Sequence, residues 1–140
     1  MDTGHWEHYS HPADIGIRGL GPTREEAFAQ AALALTAVIT DPKGVEPRET
    51  VEMLCRGDDD ELLLYDWLSS LLYEMDTRGM LFGRFELEVI EAGLKAVAWG
   101  ERIDPNRHMP TVEVKAATFA DLKAFQDEKG IWIAQCIVDV

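Results

Sequence analysis

The sequence predicts an α+β fold in which two helices pack on a largely antiparallel β-sheet, as a layered single domain. Residues 23–39 and 58–79 repeat apolar side chains at the spacing of amphipathic helices. Several other stretches alternate apolar and polar residues with a period of two, as strands do. Short turn sequences separate most of these stretches, which favours hairpins and therefore antiparallel pairing.

Length and composition set the first limits on the protein. The chain has 140 residues, of which 46% are hydrophobic, enough for one packed core. No repeat, linker or low-complexity segment interrupts it, so residues 1–140 are predicted to form one domain. No apolar run is long enough to cross a membrane. Two cysteines make no disulfide framework, and the first five residues do not begin a secretory signal, so a cytoplasmic location is expected.

The charge balance restricts the possible partners. The formal net charge is -13, with 26 acidic and 13 basic residues. Because phosphate contacts need clustered Lys and Arg, tight direct binding to a nucleic acid is not expected. The excess of acids fits a bound cation or a basic protein partner better, or it serves solubility alone.

Residues 8–17 are predicted as a strand, a bend and a second strand. Pro12 favours extended backbone at His11, and Asp14 then begins the second strand. A carboxylate at the start of a strand is held rigidly and can still meet a ligand. Alternatively, Asp14 only caps the turn.

Both helices have start and stop signals. Thr23 and Glu26 form a capping-box pattern at the start of the first helix, which is predicted to end near Ile39. Four acids at residues 58–61 precede the second helix, where negative charge suits the helix dipole. They lack the alternating ligands and the glycine of a calcium-binding loop, so a structural role is preferred. The second helix is predicted to end at residues 77–79.

The remaining segments are predicted strands, turns and one loop. Residues 101–110 are polar and contain two prolines, so they are predicted as a loop. The final strand is apolar except for Gln135, which predicts a central strand buried on both faces. The predicted strands are residues 49–56, 85–89, 94–100, 111–118, 122–127 and 131–138.

The end of the sequence carries the main candidate site. The apolar final strand is followed by Asp139 and by Val140, which is expected to offer a terminal carboxylate and a carbonyl. Two adjacent negative groups at the end of a buried strand repel one another and are costly to desolvate. A hard cation with oxygen ligands would relieve this repulsion. Alternatively, the end frays into water and needs no ion.

Three other groups are weaker candidates. His8 and His11 with a cysteine would make a zinc site, but no Cys-x-x-Cys pattern accompanies them. His108 lies in the polar loop, either as part of a functional docking face or as an ordinary surface histidine. Lys115 is the only basic residue in its predicted strand, and it either serves function or is a solvated lysine paired with Glu113.

Five stretches resemble the archease family, and together they cover essentially the whole chain. No one stretch is specific, but their order in a chain of this length is. The family has a layered α+β fold, in agreement with the residue pattern. The stretches are residues 8–17, residues 23–28, Gly100 and Glu101 with Asp104 and His108, residues 114–118, and residues 136–140.

The resemblance implies a function. Archeases activate the GTP-dependent RNA ligase that joins tRNA halves, by promoting its guanylylated-histidine intermediate and repeated turnover. Carried over by position, Asp14, Asp139 and Val140 would hold a calcium-type metal ion (Ca2+), and Lys115 would be needed for function. One difference is Pro22, which stands where family members often carry an acid. If that acid has a role, either this protein lacks it or a nearby residue such as Glu25 supplies it.

Two other classes of function are considered. A small metal-dependent hydrolase would use Asp14, Asp139 and His108, whereas a chaperone-like binding module would need only the acidic surface and the layered fold. The sequence contains no phosphate-binding glycine loop, nucleophile elbow or Cys/His pair at catalytic spacing. We therefore expect an activator of the tRNA-splicing RNA ligase and not an enzyme with its own active site.

Overall fold

A computed structural model describes residues 4–12 and 14–140 of the chain. Within these residues the helices are α1 (Arg24–Ile39), α2 (Asp60–Arg78) and the short α3 (Pro105–His108), and a 3-10 turn covers Pro42–Gly44. The strands are β1 (His5–His11), β2 (Asp14–Gly21), β3 (Glu49–Cys55), β4 (Met80–Ile90), β5 (Gly93–Arg102), β6 (Ala116–Ala117), β7 (Lys123–Gln126) and β8 (Trp132–Asp139). The bend predicted between β1 and β2 includes Ala13, which lies outside the described residues.

The described strands form two antiparallel sheets. In the larger sheet the order is β1-β2-β8-β6, and β7 also pairs with β8. In the smaller sheet β5 lies between β3 and β4. The predicted α+β class is confirmed, and its antiparallel strands divide between two sheets. The final strand has neighbours on both sides and is buried over residues 134–138, as predicted for a central strand.

Small residues let α1 pack directly on the larger sheet. As predicted, the Thr23 side chain caps the helix, accepting the Glu26 N–H at 3.1 Å. A Cβ atom on Gly19 of β2 would lie 2.2 Å from both the Ala27 carbonyl oxygen and the Ala31 nitrogen. Only glycine therefore permits this close approach of helix and strand. The contact holds β2, which begins at Asp14, against a rigid element.

The second helix contacts both sheets. Its acidic start has the predicted structural role, because the Asp59 side chain accepts the Leu62 N–H at 2.8 Å. The buried Trp67 side chain donates from its indole nitrogen to the Phe28 carbonyl oxygen at 3.0 Å, which ties α2 to α1. The helix ends at Gly79, whose φ of 63° lies in the left-handed region that favours glycine.

The strand predicted at residues 111–118 is wrong for most of its length. Only Ala116–Ala117 pairs with another strand, which is β8. Val114 and Ala117 are buried while Val112 is exposed, so burial does not alternate as it does along a strand. The sequence alternates with a period of two, but residues 111–115 pack against the domain without forming a strand.

The predicted loop at residues 101–110 is shorter than expected. β5 continues through Arg102, and Asp104 caps α3 by accepting the Asn106 N–H at 3.1 Å. β4 also begins earlier than predicted, at Met80, because its first three residues are all buried and show no alternation. None of the described helices combines the length and the apolar character needed to cross a bilayer.

Candidate functional site

The ends of β2 and β8 bring the two predicted acids together. These strands pair in a register that sets Ile15 opposite Val138. The next position along this register places Asp14 beside Asp139. Opposed residues of an antiparallel pair direct their side chains to the same face of the sheet. The two carboxylates therefore share one face at the end of the larger sheet.

Neither of these carboxylates is neutralised within the described part of the chain. Asp14 is half-buried and Asp139 is exposed. No hydrogen bond or ion pair joins either side chain to a described residue. Val140 is half-buried and packs against the hydrophobic core. The end of the chain thus lies against the domain, with two negative side chains next to it.

The donor atoms at this position suit a hard cation. Carboxylate and carbonyl oxygens are the ligands that calcium prefers, and calcium tolerates irregular geometry. Among the described residues, no group of three or more His, Cys, Asp or Glu side chains is arranged to hold a metal. The predicted set has only two such side chains, and its third member, Val140, would bind through backbone oxygens. In their chemistry, these residues fit a calcium-type ion.

Lys115 lies next to the same chain end. Its backbone N–H donates to the Asp139 carbonyl oxygen at 2.8 Å, just before β6 begins. Its side chain is exposed and forms no ion pair with Glu113 or with any other described residue. The structure thus brings three of the predicted residues, Asp14, Asp139 and Val140, to the same end of the larger sheet. Lys115 lies there as well.

His108 is buried, whereas Asp14, Asp139 and Lys115 are exposed or half-buried. It is 6% exposed, and its Nδ1 accepts the Asp104 backbone N–H at 2.8 Å. Since Nδ1 uses its lone pair there, the ring proton is on Nε2, which donates to the Glu101 carboxylate at 3.0 Å. The ring makes these contacts and none with Asp14 or Asp139. A docking role for His108 stays a prediction and would have to act through the loop that it holds.

Glu101 belongs to one of the five archease-like stretches, but its structural role was not predicted from the sequence. The residue is 4% exposed, and its carboxylate pairs with Arg107. It also accepts the Glu46 backbone N–H at 2.7 Å and the Arg48 Nε–H at 3.2 Å. These donors, the Arg107 hydrogen bond foremost, hold the pKa of the Glu101 carboxyl far below its usual value despite burial. The cluster fastens α3 to β5 and to the segment before β3.

Comparison with known proteins decides the family. The model of the archease protein family (MTH1598/TM1083) matches residues 6–140. The chain belongs to the archease family. It is 43% identical to the protein archease of Pyrococcus furiosus and 46% identical to that of Pyrococcus abyssi. Each of these alignments covers 96% of this chain and 98% of the relative.

A solved archease-family structure supports the same assignment. The solution structure of Methanobacterium thermoautotrophicum protein 1598 matches with a TM-score of 0.75 at 34% identity. The match covers 96% of this chain and 98% of that one. Archease membership makes this an accessory protein of RNA-ligase and tRNA processing, in a family of activators rather than of enzymes.

The alternative zinc ligands are not brought together. His8 and His11 stand three positions apart in β1, so their side chains point to opposite faces. The His8 Nε2 is hydrogen bonded to the Ala34 carbonyl oxygen of α1 at 2.8 Å. Both cysteines are buried in different sheets, and burial raises the thiol pKa of Cys55 to about 11 and of Cys136 to about 12.

Glu25, which could supply the acid that the family often carries at the position of Pro22, lies far from Asp14 and Asp139. Glu25 is in the first turn of α1, beyond the end of β2 that is opposite Asp14. A strand of this length spans about 23 Å at 3.3 Å per residue. Glu25 is therefore not a member of the site at Asp14 and Asp139.

A polar network on the sheet face was also missed. The Tyr9 hydroxyl donates to Asp121 Oδ2 at 2.9 Å, and the Gln135 amide donates to the same oxygen at 2.9 Å. Arg18 donates from Nε to Gln135 Oε1 at 2.7 Å and lies over the Tyr9 ring, 4.3 Å from its centre. The sequence held one signal for this network, since Gln135 is the single polar residue in an otherwise apolar final strand.

Proposed function

We propose that this protein activates the GTP-dependent tRNA-splicing RNA ligase, promoting its guanylylation and multiple turnover. We further propose that Asp14, Asp139 and Val140 hold a calcium-type ion and that Lys115 acts beside it. Archease membership supports the choice of pathway. The arrangement of the four residues supports the choice of site.

One observation carries the proposal. Two carboxylates occupy neighbouring positions on β2 and β8, and no described residue supplies a cation to either of them. Like charges this close favour a bound cation, because each carboxylate lowers the energy of that cation. A bound ion would supply positive charge between the two carboxylates, and Asp14 and Asp139 would hold it.

The protein residues at this site have separate tasks in the proposal. Asp14 is held by β2 against α1, and Asp139 is held by the central strand β8, so both present oxygens from rigid elements. The flexible side chain of Lys115 reaches outward and meets a phosphate or a carboxylate of the docked ligase. Catalysis itself belongs to the ligase.

The net charge of the molecule supports a function in which it contacts the ligase and not the tRNA. A net charge of -13 opposes direct contact with the tRNA backbone. A cytoplasmic location is part of the proposal.

The hydrolase alternative is less well supported, because both ring nitrogens of the buried His108 are already hydrogen bonded, to Glu101 and Asp104. The chaperone alternative predicts suppressed aggregation of unrelated proteins, which a standard aggregation assay measures.

A guanylylation assay with the ligase of the same organism tests this function. We expect this protein to accelerate formation of the ligase–GMP intermediate and to permit repeated turnover. Lys115→Ala should fold normally, within about 0.5 kcal/mol of wild type, because the side chain is exposed. It should nevertheless lose activation. Lys95→Ala, at an exposed position of β5, is the control and should activate fully.

Two outcomes would count against the proposal. An unchanged rate of guanylylation in the presence of wild-type protein would remove ligase activation as its function. Full activation by Lys115→Ala would return this residue to the role of a solvated lysine.

A further inference from the structure

An apolar groove opens on the surface between the end of α2, the start of β4 and residues 110–114. Its volume is about 360 Å3. Leu72, Met75 and Met80 line it, and Ile103 and Val112 contribute side chains that are 39% and 42% exposed. Apolar side chains grouped in a surface groove are typical of an interaction site.

One wall of this groove has unpaired backbone. Residues 111–115 run without helix, turn or bend. The Thr111 N–H donates to Ile39 at 2.9 Å, and the Lys115 N–H donates to Asp139 at 2.8 Å. Between these two anchors, the Val112 N–H bonds to no described residue, and Val112 is 42% exposed, whereas Val114 is buried.

The charges of the groove have one sign. Asp76 and Glu113 are its charged lining residues, and no Lys or Arg is among the described residues that line it. Both acids are exposed. Lys115 and Arg102 adjoin the groove in sequence. The nearby Arg78 is neutralised by Glu74, with a nitrogen–oxygen distance of 2.5 Å.

We propose that this groove binds an extended segment of a protein partner, in which an apolar side chain is flanked by Lys or Arg. The apolar side chain enters the groove. The partner backbone accepts a hydrogen bond from the free N–H of Val112, as in strand addition to a sheet edge. The basic side chains meet Asp76 and Glu113, which speeds association and sets the register.

The groove adjoins the candidate functional site in the sequence. Lys115 directly follows the lining residue Val114, and its backbone N–H is hydrogen bonded to the Asp139 carbonyl oxygen. A partner segment seated in the groove would hold the rest of the partner near Asp14, Asp139 and Lys115. The inference rests on the proposed function in one respect, because the segment is assigned to the RNA ligase.

Charge reversal tests the assignment in the full-length proteins. The double variant Asp76→Lys/Glu113→Lys should weaken ligase affinity at least tenfold, measured by calorimetry or surface plasmon resonance. The control Glu88→Lys/Glu128→Lys makes the same change in net charge at two exposed acids remote from the groove. It should change affinity less than twofold. Circular dichroism and thermal unfolding establish that both variants fold.

Hydrogen exchange tests the backbone contact. The amide of Val112 should exchange rapidly in the free protein and become protected in the ligase complex. Tight binding with no added protection at this amide would overturn the backbone contact.

The outcomes separate this inference from the proposed function. If wild-type protein activates the ligase, and the groove and control variants bind the ligase with equal affinity, the groove proposal is overturned. Ligase activation then stands. Absence of any ligase binding by wild type overturns both. A monomer–dimer shift caused by the groove variant in the isolated protein would assign the groove to a second copy of this chain, and would also overturn the proposal.

Discussion

Tyr9 and Asp121 connect the first strand of the larger sheet to the loop before β7. The Tyr9 ring lies over Gly16, where a Cβ atom would come within 2.3 Å of the phenol carbon Cζ. Burial, and then the hydrogen bond to Asp121, raise the pKa of Tyr9 well above its usual value. The same bond lowers the pKa of the Asp121 carboxyl. At neutral pH the hydroxyl therefore donates to a charged acceptor, across the strand that begins at Asp14.

Tyr9→Phe should destabilise the fold by about 1 kcal/mol, the usual net contribution of one such hydrogen bond. Because the folded-state pKa of Asp121 is depressed, its contribution is present above the unfolded pKa and is lost as the pH falls. The difference between variant and wild type should therefore shrink in acid. Urea unfolding at neutral pH and near pH 3 measures this. Tyr73→Phe, at a 65% exposed tyrosine, is the control.

Among the elements, α3 depends on a buried charge more than on its own length. Its four residues cannot form a stable helix alone, and Asp104, Arg107 and His108 fasten it to neighbouring backbone and to Glu101. The Thr40 hydroxyl adds a hydrogen bond to the His108 carbonyl oxygen at 2.6 Å. The Glu101 carboxylate, near the end of β5, thus holds α3 in place.

Glu101→Gln should lower the free energy of unfolding by about 2 kcal/mol at pH 7, because charged hydrogen bonds are replaced by neutral ones. The folded-state pKa of Glu101 is depressed, so its stabilisation is complete above the unfolded pKa and decreases as the pH falls below about 4. The variant should therefore lose less stability in acid than wild type does. Denaturant unfolding from pH 7 to pH 2.5 checks this, with the exposed Glu88→Gln as control. Equal acid dependence of the two variants would contradict it.

Elements with local signals were predictable from the sequence. The Thr23 cap and the acids before α2 act on groups only a few residues away, so α1 and α2 were found with nearly correct ends. The segment at residues 111–115 was not, because alternation does not reveal whether a partner strand is present. The closeness of Asp14 and Asp139 follows from the register of β2 on β8, which no local pattern encodes; the family resemblance supplied it.

For the molecule as a whole, the excess of acidic residues opposes direct contact with a nucleic acid. A net charge of -13 repels a phosphate backbone over distances of about 8 Å at physiological salt. The same charge favours a basic protein surface. Under the proposed function, the protein is therefore expected to meet tRNA only through the ligase.

Isolated protein should show no tRNA binding with a dissociation constant below about 1 μM at physiological salt, since its net charge of -13 opposes the phosphate contacts that such binding needs. Fluorescence anisotropy with labelled tRNA measures this, and the RNA ligase alone is the positive control. Sub-micromolar binding by the isolated protein would contradict the expectation.

Calorimetric titration with calcium tests the central claim most directly. Wild-type protein should bind calcium at one site, and Asp14→Asn/Asp139→Asn should lose at least tenfold in affinity while keeping the fold, because neither side chain contributes apolar burial. Asp58→Asn/Glu61→Gln removes two charges from the acidic start of α2 and should bind as wild type does. Undiminished binding by Asp14→Asn/Asp139→Asn, or no binding by wild type, would contradict a calcium site at the ends of β2 and β8.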